Sequence, residues 1–237
     1  MVTEKSVMEN VKNRQDEIAG TPGIVVVWDV PTRLFHWLLV VFVLISFVTG
    51  KIGGNAMQYH QWSGYMVLTL LLFRIVWGLI GSRESRFVKF VKGPAAVVRY
   101  ATTFLSSNAT PYLGHNPLGG WSIIAMLVAL LVQAGTGLFA NDDIITEGPL
   151  FDWVSKATSD WLTQIHKLNQ IVIIGLVCVH VLAILFYFFY KRENLITPMI
   201  TGAKKWNSSE PRPAAGSTWT AAVTAGLVAL AVYLLLR

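Results

Sequence analysis

The sequence predicts an all-α protein whose helices cross a membrane five times, and three observations predict it. Of the 237 residues, 54% are hydrophobic and 14% are charged, against about a quarter charged in a soluble domain. Five apolar runs reach or approach the roughly 20 residues that a bilayer crossing needs. Four of the five histidines fall inside those runs, where ionisable side chains are costly and point to function.

The first span is expected at about residues 30–50. Asp29 suits an N-cap and Pro31 falls in the first turn, where its missing N–H does no harm. The second span is expected at about 56–81, the third at 117–140, the fourth at 161–190 and the fifth at 218–236. The chain then divides into an arm (1–27), a transmembrane domain (28–204), a linker (205–217) and an additional C-terminal transmembrane helix (218–237).

The net charge of +6 is explained by membrane orientation, so no nucleic acid partner is expected. Lys5, Lys12, Arg14 and Arg33 precede or open the first span. Arg83, Arg86, Lys89, Lys92 and Arg99 follow the second, and Lys191, Arg192, Lys204, Lys205 and Arg212 follow the fourth. The alternate loops carry Lys51 and Lys156, with Asp142, Asp143, Glu147, Asp152 and Asp160 on the second. The positive-inside rule puts the N-terminus in the cytoplasm and the C-terminus outside. The first twenty residues hold no apolar stretch of signal-peptide type and read as a cytoplasmic arm. A single cysteine, Cys178, excludes a disulfide framework and a Cys-x-x-Cys-His haem attachment. It reads as a small membrane residue.

His166 and His180 are fourteen residues apart on the fourth span. Fourteen steps of about 100° return within roughly 40° of four full turns and rise about 21 Å. One helix can therefore offer an axial imidazole to each of two stacked haems. Depth supplies the partners: His36 with His180 near the cytoplasmic face, and His60 with His166 near the outer face. The same interval links His36 to Gly50 and His60 to Arg74. Gly50 would let a helix approach a flat ligand. Arg74 would hold a haem propionate or snorkel to the headgroups. Gly64, one turn after His60, would relieve crowding at the outer haem or pack against a helix. His115, in GHNPLGGW, stays open between a polar boundary residue and a redox or quinone role.

The stretches VWDVPTRLFHW, YHQWSGY, FRIVWGLIGS, GHNPLGGW, QAGTGLFANDD and IHKLNQIVIIGLVCVH, followed by RENLITPMITG, resemble the b-type cytochrome subunits of membrane-bound nickel–iron hydrogenases, within the bacterial cytochrome b561-like family. The resemblance covers about residues 27–204. It implies a transmembrane four-helix di-haem bundle, leaving the fifth helix outside the core. It also implies two non-covalent, bis-histidine b haems on His36, His60, His166 and His180. Electrons would pass between an outer-face subunit, a hydrogenase or a c-type cytochrome, and membrane quinone in a bacterial inner membrane. Lys167 stands where many relatives carry an acidic residue, which would alter the outer docking surface. The fifth helix would pack beside the bundle, cover a haem edge or bind a partner.

Two other readings compete. A stand-alone haem oxidoreductase, such as a superoxide:quinone oxidoreductase, would need no partner subunit. A histidine-dependent transporter or membrane anchor would need carboxylates or a polar midplane path, and spans one, two and four carry no Asp or Glu in their interiors.

Overall fold

A computed structural model describes residues 23–105, 112–206 and 216–237. Most of the expected arm and linker thus lies outside the described residues. Strand β1 (Gly23–Val26) leads into helix α1 (Val30–Ile52), and a 3-10 turn, Gly54–Ala56, joins this to α2 (Met57–Ile80). The short helices α3 (Phe87–Phe90) and α4 (Pro94–Thr103) precede α5 (Pro117–Gly137) and α6 (Lys156–Phe189). Helix α7 (Ile196–Thr201), strand β2 (Ala203–Trp206) and α8 (Thr218–Leu235) complete the chain. Helices α1, α2, α5, α6 and α8 are the five long and apolar enough to cross a membrane.

Local chemistry sets the helix starts. Asp29 caps α1 by accepting from the Thr32 N–H at 2.8 Å, with Pro31 in the first turn. Asn116 accepts from the Gly119 N–H at 2.8 Å, and Pro117 opens α5. Helix α6 starts before the expected residue 161 because Ser155 caps it, accepting from the Thr158 N–H at 3.2 Å. Its first turn is polar and so precedes the apolar pattern. Its 34 residues make a rod about 50 Å long at 1.5 Å per residue.

Helix α2 is the centre. It packs on α1, α5 and α8, while α5 packs on α6. Helices α1 and α6 do not approach each other as closely. Leu71 and Trp77 of α2 are fully buried, in a core with Phe35, Phe73, Leu127, Leu130 and Ala221. On α6 the buried residues are Ser159 and Thr163, while Leu168, Val172 and Leu182 are exposed. Apolar side chains facing outward over this length suit lipid on most sides of the helix.

Three features depart from the linear reading. The basic loop after α2 contains α3, which wedges into the bundle. A Cβ at Gly78 would collide with the Phe87 ring, and one at Gly120 would lie 2.5 Å from the Phe90 carbonyl oxygen. The end of the arm pairs with the start of the linker region: β1 runs antiparallel to β2, Gly23 opposite Trp206 and Val26 opposite Ala203. Gly202, at φ 86°, turns the chain there and accepts from the Val27 and Trp28 N–H groups at 2.8 and 3.1 Å. The fifth helix takes the first of its expected places, beside the bundle, burying Ala221, Thr224 and Val232.

Candidate functional site

The polar groups of the bundle gather at two levels. One lies at the carboxyl end of α1 and the amino end of α6. There the His60 and His166 rings stand 6.0 Å apart between centres, with their planes at 82°. His60 Nδ1 is 2.8 Å from the Ser46 carbonyl oxygen on α1. His166 Nδ1 is 2.9 Å from the Gln133 carbonyl oxygen on α5. A carbonyl only accepts, so each Nδ1 carries the proton and donates, leaving Nε2 as the basic nitrogen. Two imidazoles on opposite sides of one metal, with bonds of about 2 Å, have ring centres about 6 Å apart. The pair therefore fits a metal that brings its own equatorial ligands, as a haem does.

Glycines frame these rings. A Cβ at Gly50 would stand 2.9 Å from His60 Nδ1, so the imidazole itself, rather than a flat ligand, occupies the approach that the glycine opens. Gly137, which the linear reading passed over, has the same relation to His166, at 3.0 Å from Cε1. Its signal lies in QAGTG, four residues after Gln133. Gly64 would meet nothing within 4 Å, so close helix packing is not its role.

The second level lies at the other end of α1. His36 and His180 are half-buried there, within electrostatic range of each other. Arg74 is 4% exposed and its guanidinium lies 4.9 Å from the Phe87 ring centre and 5.8 Å from that of Phe90. It does not snorkel. Asp29 is in electrostatic range of Arg74 but bonds elsewhere, accepting from Trp77 Nε1 at 3.1 Å and Ser85 Oγ at 3.3 Å. Among the described residues, Arg74 Nη1, Arg33 Nε and His36 Nδ1 are buried without a hydrogen-bond partner. Along the sequence Arg33 counts only toward membrane orientation.

His115 joins this level. Its ring lies 4.6 Å from that of Trp28 and 5.3 Å from that of Phe90. Surrounding protein pushes the imidazole down to about 3, and the Arg74 guanidinium, then His180 and His36, add to the depression. Cys178 is exposed on α6, as a small lipid-facing residue would be.

The acidic segment after α5 is folded onto α6. Asn141 Nδ2 donates to Ser159 Oγ at 2.6 Å and Asp160 Oδ1 at 2.9 Å, and its N–H donates to Thr163 Oγ1 at 3.0 Å. Asp142 Oδ1 accepts from the Ile144, Ile145 and Thr146 N–H groups at 2.9, 2.9 and 2.8 Å. Those donors hold its carboxyl at about 2.

The chain is similar to a "Probable Ni/Fe-hydrogenase B-type cytochrome subunit" of Bradyrhizobium diazoefficiens, 25% identical over 81% of this chain and 90% of the relative. It is 26% identical to the protein of that name from Azotobacter vinelandii, over 79% and 91%. A "Probable Ni/Fe-hydrogenase 1 B-type cytochrome subunit" of Escherichia coli K12 is 24% identical over 74% and 88%. No solved structure matches. The family description "Prokaryotic cytochrome b561" matches residues 27–202, a stretch that holds both histidine levels and four of the five crossings, so the chain belongs to the prokaryotic cytochrome b561 family and is a multi-pass membrane cytochrome of the b type.

Proposed function

We propose that this chain holds two haem b groups, one between His60 and His166 and one between His36 and His180, and passes electrons between an outer-face partner and membrane quinone. The observation that carries this is the His60–His166 pair, with ring centres 6.0 Å apart and each Nδ1 turned to a carbonyl. Such a contact fixes the tautomer and the ring orientation of a metal-binding histidine. Support at the other level comes from the buried, unpartnered Arg74 Nη1 and Arg33 Nε, donors that suit haem propionates. Bound haem supplies reversible one-electron chemistry at its iron. The protein's own residues orient the ligands, balance propionate charge and keep the two sites apart by the fourteen residues between His166 and His180.

The partner reading follows from the relatives' names, which favour a hydrogenase subunit over a c-type cytochrome. The acidic segment from Asn141 to Asp160, tied to α6, is its proposed docking surface at the outer face of a bacterial inner membrane. Gly50 and Gly64 belong to the outer haem site in this reading, and Arg74 to the inner one.

Purified protein made with ample haem should show a dithionite-reduced b-type absorption spectrum and a haem-to-protein ratio of about two, on bis-histidine ligation. His180→Ala should lower the ratio to about one while the spectrum of the other site persists. Absence of the reduced b-type spectrum would sink the idea.

A further inference from the structure

We infer that Gly50 and Gly137 are positioning residues that seat His60 and His166 on backbone carbonyls, making the His60/His166 haem the lower-potential of the two; this rests on the four-histidine ligand set proposed above. In an α-helix the carbonyl of residue i points toward residue i+4 on the same face. A ring that donates to the Ser46 carbonyl therefore lies over residue 50, and one that donates to the Gln133 carbonyl lies over residue 137. Both positions are glycine. An added Cβ would stand 2.9 Å from His60 Nδ1 and 3.0 Å from His166 Cε1, so the rings would have to move off their carbonyls.

The arrangement occurs twice, on two different helices, and other membrane glycines do not share it. A Cβ at Gly135, Gly175 or Gly226 would meet nothing within 4 Å. Ser46 is itself fixed, its Oγ 2.7 Å from Ser63 Oγ across the α1–α2 interface. Thr136 Oγ1 lies 3.4 Å from His166 Nδ1, too far to compete with the 2.9 Å carbonyl contact.

The electronic consequence differs between the two levels. An Nδ1–H that donates to a carbonyl makes the imidazole a more basic ligand. A more basic ligand favours oxidised iron and lowers the potential. Both rings of the His60/His166 pair have this contact. At the other level His36 Nδ1 is buried without a partner among the described residues. The buried guanidinium of Arg74 also stands at that level, and a nearby cation favours the reduced, more negative form. Electrons would then run downhill from the His60/His166 level to the His36/His180 level.

The test is a redox titration of purified holoprotein followed by visible absorbance, with haem-to-protein ratios measured on the same samples. Wild type should titrate in two components, and His166→Ala should remove the lower one. Gly50→Ala and Gly137→Ala should move the lower component to a more positive potential and leave the upper one in place. Gly135→Ala should move neither. Selective loss of that haem in the two glycine variants, with Gly135→Ala intact, would also support the seating role, and His166→Ala alone would then decide the order. The inference is overturned if His166→Ala removes the higher component, or if both glycine variants keep two haems and unmoved potentials. A wild-type ratio of one or none overturns the ligand set itself, and this inference with it.

Discussion

Arg74 shows how a residue singled out by interval still depends on its surroundings. Its place fourteen residues after His60 puts it at the second histidine level, but the interval left snorkelling open. The fold closes that route with Phe87 and Phe90, from a four-residue helix that sequence periodicity cannot reveal. Asp29, the nearby carboxylate, is bonded to Thr32, Trp77 and Ser85 instead. A buried guanidinium with an unpaired nitrogen is costly, and a haem propionate would offset that cost. Arg74→Gln is therefore expected to weaken haem retention at the His36/His180 level. The haem-to-protein ratio after gel filtration should fall from about two toward one, while the His60/His166 component of the redox spectrum persists.

At the scale of elements, the long helices were legible and the short ones were not. Asp29 marks its helix start by side-chain type, and the structure places it as a cap, with Asn116 in the same role at α5. Helices α3 and α4 and the β1–β2 pair carry too few residues for a periodic pattern, and they are held by tertiary contacts such as Phe87 against Gly78. The segment after α5 is ordered by one carboxylate. Asp142 is held at about 2, below its ordinary 3.8, chiefly by the Ile144 N–H and then by the hydroxyl and N–H of Thr146 and the N–H of Ile145. A carboxyl depressed on folding stabilises above its unfolded value, and that contribution is lost as pH falls through the folded value. Amide protection at Ile144–Thr146, corrected for intrinsic exchange, should hold above about pH 4 and fall toward pH 2. Asp142→Asn should weaken it already at neutral pH.

For the whole molecule, five helices are long and apolar enough to cross a membrane, and an odd number of crossings would leave residues 23 and 237 on opposite sides. We propose that the N-terminus is cytoplasmic, from the Lys and Arg distribution. A periplasm-dependent reporter fused after residue 237 should be active, and the same reporter fused after residue 206, before α8, inactive. Helix α8 packs on α2 rather than α6, through Ala221, Thr224 and Val232. The form ending at residue 206 should therefore keep a haem-to-protein ratio of about two while melting at a lower temperature. Retention of only one haem in that form would instead place α8 at a haem site.

The five long apolar helices, the four histidines within them and the shared depth of His60 and His166 were all readable along the chain. Lipid imposes long apolar runs, and helical geometry converts a fourteen-residue interval into a shared face at a second depth. The linear order could not show that Gly137 of α5 lies under His166, or that His115 and Arg33 join Arg74 at the second level. Those relations join different helices, and they depend on how side chains such as Phe87 and Phe90 fill the space between them.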